Sequence, residues 1–258
     1  MRVGIIQRTI AHEDPLAELE IVARLVKAAA EQGAQLICLP EFPLRTWFPH
    51  RPPQAGETLP LLGEELERSF QSLAAEHGCC VHVVDLTSQG GILYNTAMLF
   101  APSMHIRHYQ KQHLPNLPGF YESRWYSPGQ SPSAAFATPV GCLGMLTCSD
   151  LMFPEAARML GLQGADIILA PRATVVESIS RWQVMLRANA IVSGAYVISA
   201  NRLGEEHGAA FAGHSLIIAP GGDLVLDLDQ QEGVALFDLD LELAAQAKQR
   251  YPVRMSAD

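Results

Sequence analysis

Short apolar runs alternate with longer stretches whose apolar residues recur every three to four positions, and this alternation constrains the chain more than any other feature. Residues 3–6 have a buried-strand pattern. Residues 15–32 follow with Leu16, Leu19, Val22, Ala23, Val26 and Ala30 on one helical face, closed by Gly33. Residues 36–39 form a second strand that runs straight into Pro40-Glu41. A helix is predicted over about 63–77, then strands at 80–84 and 93–100 across the turn-rich Ser88-Gln-Gly-Gly91. Beyond a Pro- and Gly-rich loop at 114–132, a strand stops at Cys148 and a helix opens at Pro154. Strands at 167–169, 196–199, 215–218 and 234–237, with a helix over about 178–193, complete the series. Such alternation predicts a mixed sheet system covered by helices. No long linker interrupts it, so residues 1–258 read as one α/β domain.

Composition narrows the functions available. Apolar residues make up 48% of the chain, enough for a large core, yet no run is long enough to span a bilayer. A formal charge of −9 disfavours nucleic acid and anionic membranes as partners. The five cysteines are odd in number and lack a C-x-x-C pair, which predicts reduced thiols and a cytoplasmic setting; the first residues do not resemble a signal peptide. His105, His108 and His113 lie close together without a partnering carboxylate or cysteine at ligand spacing, so no metal or other cofactor is expected.

Cys148 is where this pattern meets chemistry. It ends an apolar run in Met145-Leu-Thr-Cys-Ser-Asp150, ahead of a helix start whose dipole and free N–H groups are expected to favour a thiolate. An ordinary thiol, with a pKa of ~8.5, needs a base or a cation nearby to act at neutral pH. Glu41 sits past a buried strand, where desolvation improves a carboxylate as a proton acceptor. Lys111 ends another strand-like stretch, Tyr109-Gln-Lys-Gln-His113, and offers a fixed positive charge for an oxyanion. Residues just past strand ends on one sheet edge share a common site, so Glu41 and Cys148 are expected to meet.

These segments resemble the carbon–nitrogen hydrolase (nitrilase) superfamily: Leu-Pro-Glu-Phe around Glu41, Tyr-Gln-Lys-Gln-His-Leu around Lys111, and Thr-Cys-Ser-Asp-Leu-Met-Phe-Pro-Glu-Ala-Ala-Arg around Cys148. The likeness runs from the first strand to about Asp240 and includes Asn201-Arg-Leu-Gly204, Gly213-His-Ser215 and Pro220-Gly-Gly222. It implies a four-layer α-β-β-α sandwich with mixed sheets, and a Glu–Lys–Cys triad. In that triad Glu41 is the general base and acid, Cys148 the nucleophile, and Lys111 the oxyanion partner together with the N–H of Ser149. Glu122, in Phe120-Tyr-Glu-Ser-Arg-Trp125, matches a further glutamate of the family that orients the lysine and substrate or assists proton transfer. The implied reaction is hydrolysis of a small-molecule amide or N-carbamoyl C–N bond through a thioester. Cys148-Ser-Asp150 resembles amidases more than nitrile-cleaving members, and the implied assembly is a homodimer or larger.

The chain also departs from the family pattern. Ser149 replaces a common aromatic, Met152 an arginine, and Asn189 and Val192 stand where arginine and glutamate are frequent. Trp47, Phe48, Tyr121 and Trp125 are candidate pocket residues, in loops (42–56, 114–130 and 171–182) that read as apolar and aromatic with scattered arginine. Two rival readings compete: a Cys–His thiol hydrolase using His214, and a non-catalytic binding module on the same fold. Residues 246–258, polar and carrying Pro252, read as a loose or partner-crossing tail.

Overall fold

The structure, a computed structural model, describes residues 1–250 and Val253, with only the backbone for residues 104–107. Strands β1 (Arg2–Gln7), β2 (Leu36–Glu41) and β3 (Cys80–Gln89) run parallel side by side, because helices α1 (Pro15–Glu31) and α2 (Glu64–His77) carry the chain back between them. α1 starts where the sequence signals it. Asp14 caps the Leu16 N–H and Pro15 takes the first turn, an arrangement worth about 1 kcal/mol. β4 (Ile92–Ala101) and β5 (Met104–Gln110) extend this sheet antiparallel beyond β3, and β14 (Gly233–Asp238) closes its other edge against β1.

The second sheet repeats the plan. β7 (Gly141–Met145), β8 (Ile167–Leu169) and β9 (Tyr196–Ser199) are parallel and joined through α3 (Pro154–Leu162) and α4 (Ile179–Ser193). β6 (Phe136–Thr138) pairs antiparallel with β7, while β12 (Leu216–Ile218) and β13 (Leu224–Asp227) continue antiparallel beyond β9. A separate hairpin, β10 (Leu203–Glu206) and β11 (Ala209–Ala212), stands apart from both sheets.

Strand periodicity assigns the layers. Ile37, Leu39, Val81, Val83 and Phe100 pack against Val22, Val26 and Phe70 of α1 and α2. The alternate residues Ile5, Leu36, Cys38, Val84 and Leu99 share a core with Leu143, Met145, Ile167, Leu169 and Ile198 of the second sheet. α3 and α4 cover the far face of that sheet. Gly144 admits Leu160 there, since a Cβ on Gly144 would lie 2.7 Å from Leu160 Cδ1. The four layers run α-β-β-α, as expected.

The elements missed by periodicity are the short ones, β6, β13 and the β10–β11 hairpin, together with α5 (Leu241–Lys248). Three- and four-residue strands carry too few alternations to be read, and β13 is only half-buried. α5 overlaps the start of the expected polar tail; it docks through buried Ala244 and a Lys248–Asp166 ion pair of 2.6 Å. Most of that tail, at 251–252 and 254–258, lies outside the described residues. No described helix is long and apolar enough to cross a membrane.

Candidate active site

Glu41 is the last residue of β2, Lys111 the first after β5, and Cys148 follows β7 by three residues, so all three project from strand ends. Lys111 is completely buried. Its Nζ donates to Glu41 Oε1 at 2.8 Å and to Glu122 Oε2 at 2.6 Å, and both carboxylates are themselves fully buried. Burial by itself would lower the ammonium's pKa, but Glu122 and Glu41 outweigh it and hold Lys111 well above its ordinary value. Burial acts oppositely on Glu122, raising it to about 7 although Lys111 pulls it down. Glu41 Oε1 also accepts from Asn95 Nδ2 at 2.8 Å, and Glu122 Oε2 accepts the Tyr126 hydroxyl. Glu41 Oε2 has no hydrogen-bond partner among the described residues, so one lone-pair face of this carboxylate stays open for a proton.

Cys148 adopts a left-handed backbone, φ +47°, a conformation that side-chain-bearing residues rarely take and that clusters at functional sites. Phe42, directly after Glu41, is left-handed too at φ +52°. The Cys148 N–H donates to Pro171 O at 2.9 Å, and the Ala173 N–H reaches its sulfur. Glu41, Lys111 and Glu122 all act on the thiol electrostatically. The expected help from a helix dipole is not found. Cys148 opens a single 3-10 turn over Cys148–Met152, and α3 begins only at Pro154. Burial and then the Glu41 charge raise the thiol well above its ordinary pKa, against Lys111. The resting cysteine is therefore a thiol, and only a base at hand makes it nucleophilic.

Asp150 holds this turn against the lysine segment. Fully buried, it accepts from the Tyr109 hydroxyl at 2.8 Å, the His113 N–H at 2.9 Å, His113 Nδ1 at 2.8 Å, and the Gln112 and Thr147 N–H groups at 3.2 Å. Its carboxylate is occupied structurally, so any preference for amide over nitrile does not arise from its touching substrate. The Ser149 hydroxyl is likewise turned away, donating to His113 O, while its N–H sits second in the turn, where helix geometry supplies no acceptor.

The remaining candidates divide. Trp47 is buried in an aromatic cluster with Phe42, Phe48, Tyr126, Phe211 and Ala173; its indole N–H donates to Gly119 O at 2.8 Å. Trp125 packs edge-on to Phe48 and donates to Arg51 O, and with half-buried Tyr121 it brackets the turn that carries Glu122. Arg45, a possible ion-pair partner of Glu41, pairs instead with Asp85 at 2.7 Å. His214 has its two ring nitrogens facing Asp227 and Asp229, which leaves it without the role the Cys–His reading requires. Met152 and Val192 both join the apolar core, and Asn189 ties α4 to the nucleophile's turn by donating to Leu151 O at 2.8 Å. His108 is exposed, His113 is bound to Asp150, and the side chain of His105 lies outside the described residues.

Sequence reasoning passed over Asn95 and Tyr126, which complete the carboxylate network. Asn95 carried a signal: an amide inside the apolar run Leu93-Tyr-Asn-Thr-Ala-Met98 must find a buried partner.

Comparison with known proteins places the chain in a family. Residues 2–249 match the family model for carbon-nitrogen hydrolases. An omega-amidase of Xenopus tropicalis is 32% identical over 92% of this chain and 87% of its own length. An N-carbamoylputrescine amidase of Solanum tuberosum is 30% identical over 88% and 83%. The amidase from Nesterenkonia sp. AN1 superposes with a TM-score of 0.81 at 26% identity, covering 95% of each chain, in a structure where acrylamide has added to the active-site cysteine.

Proposed function

The chain belongs to the carbon–nitrogen hydrolase family, enzymes acting on C–N bonds other than peptide bonds, and on that premise we propose that it cleaves a small linear amide or N-carbamoyl compound with Cys148 as nucleophile. One observation carries this reading. A buried lysine joins two buried carboxylates, each of which keeps one oxygen without a hydrogen-bond partner among the described residues, within electrostatic reach of a strained buried thiol.

The chemistry follows from these groups. Glu41 takes the thiol proton as Sγ attacks the substrate carbonyl. The S–C bond forms, and the carbonyl electrons collect on oxygen beside Lys111 Nζ and the Ser149 N–H. As the oxyanion collapses, the C–N bond breaks and protonated Glu41 returns its proton to the leaving nitrogen, which departs as ammonia or an amine. Water then gives a proton to Glu41 and attacks the thioester; as the S–C bond breaks, Glu41 returns that proton to sulfur, releasing the acid and restoring the thiol and the carboxylate. Glu122, held by Lys111 and Tyr126, keeps the ammonium aimed and balances its charge. The apolar and aromatic wall of Trp47, Trp125 and Tyr126 suits an acyl group with an uncharged body.

Support for amide over nitrile comes from the omega-amidase and the N-carbamoylputrescine amidase among the relatives, which also include a nitrilase of Pyrococcus abyssi at 29% identity, and not from any contact of Asp150. A panel of short amides, N-carbamoyl amines and nitriles, assayed for ammonia release, tests the assignment. Release from amides or carbamoyl compounds is expected; release from nitriles alone overturns it. The exposed apolar residues Met159, Leu162, Val184 and Ile191 on α3 and α4 support pairing with a second copy through those helices.

A further inference from the structure

The site as described is short of positive charge. Two carboxylates face one ammonium, and moving the thiol proton to Glu41 still leaves two anions, Glu122 and the thiolate, on that one ammonium. Arg172 adjoins the site through the backbone. Its neighbours in the chain both touch the nucleophile: Pro171 O accepts the Cys148 N–H, and the Ala173 N–H reaches the Cys148 sulfur. Its own backbone oxygen accepts the Glu41 N–H at 3.4 Å. The side chain is completely buried, yet no described carboxylate lies within ion-pair distance of it. Its nitrogens donate only to neutral oxygens: Ser199 Oγ at 2.8 Å, Thr174 Oγ1 at 2.6 Å and the His214 carbonyl.

A buried guanidinium without a counter-ion is costly and has to be offset by a negative group it serves. Burial lowers Arg172 to about 10, while Cys148, followed by Asp227, pulls it back up. Asp227 is partly exposed on β13 and already faces His214 at 3.0 Å. Among the described residues, the anion that remains for Arg172 is the one Cys148 forms during reaction. The geometry points to Arg172 as a positioning residue: a fixed counter-charge for the Cys148 thiolate, which also braces the 171–173 backbone that holds the nucleophile. The groups facing the thiol are then Glu41, Glu122, Lys111 and Arg172, with Tyr126 behind Glu122 and the Asp227–His214 pair behind Arg172, so that once the thiol proton has passed to Glu41 two cations face two anions, Glu122 and the thiolate.

This inference rests on Cys148 being the nucleophile. The test is the rate of Cys148 alkylation by iodoacetamide, located by peptide mass spectrometry, from pH 6 to 10. If wild-type Cys148 does not react selectively, the functional reading itself fails. If it reacts, Arg172→Met is expected to lower the rate at pH 8 by at least about tenfold, displacing the profile upward by one pH unit or more. Arg172→Lys, which keeps the charge, is expected to recover most of the rate. A folded Arg172→Met with the wild-type profile, or an Arg172→Lys as impaired as Arg172→Met, overturns the proposal. If Arg172→Met does not fold, Asp227→Asn decides. It removes a competing negative charge from the partly exposed edge, and the rate at pH 8 should rise about twofold or more; an unchanged rate overturns the proposal.

Discussion

Lys111 illustrates how a single residue carries the site. An isolated ammonium with no solvent exposure would lose its proton; here two carboxylates at 2.6 and 2.8 Å keep it charged. The same coupling limits which substitutions are informative. Removing the lysine strands two buried carboxylates at a cost of about 3–5 kcal/mol, which confounds chemistry with folding. Glu41→Gln is cleaner, because the amide oxygen can still accept from Asn95 and Lys111 while the proton acceptor is gone. It is expected to lower kcat by about 10²–10⁴ with little change in KM or in melting temperature. A folded Glu41→Gln within threefold of wild-type kcat would remove Glu41 from the reaction. Glu41, Lys111, Glu122 and Cys148 were legible because each lies in a short motif beside an apolar strand. Asn95 and Arg172 were not, because their meaning comes from partners far away in the chain, such as Glu41 for Asn95; Tyr126, four residues after Glu122, lacked any signal that its hydroxyl would be buried against that carboxylate.

At the level of elements, the strand–turn–helix around Cys148 was read correctly in order and misread in its electrostatics. Pro154 does open α3, but the 3-10 turn inserted before it separates the thiol from that helix's N-terminus. Asp150 and Asn189 tie this turn to the lysine segment and to α4, so the packing of α3 and α4 bears directly on the nucleophile. The two helices cross closely: a Cβ on Gly161 would lie 2.2 Å from Ser193 O. Their outer face exposes Met159 and Val184 by more than half. Burying these residues against a second copy removes apolar surface from water, at roughly 25 cal/mol per Å². The protein is therefore expected to sediment as a dimer or larger, and Met159→Glu with Val184→Glu to give a monomer of unchanged circular dichroism. A wild type that remains monomeric at micromolar concentration contradicts this pairing.

For the molecule as a whole, alternation of strand and helix announced the layers, and the two sheets share one plan of three parallel strands with antiparallel flanks. What periodicity could not supply was the convergence of residues 41, 111, 122 and 148, which only the packing of one sheet on the other creates. The central claim is accordingly one about the assembled fold: these distant groups act together to form a thioester on one sulfur. Intact-mass spectrometry of the protein quenched in acid during turnover of an amide substrate tests it most directly. A mass increase equal to the acyl group, located on the peptide containing Cys148 and absent from Cys148→Ala, is expected. An adduct on another residue, or wild-type turnover by Cys148→Ala, would contradict it.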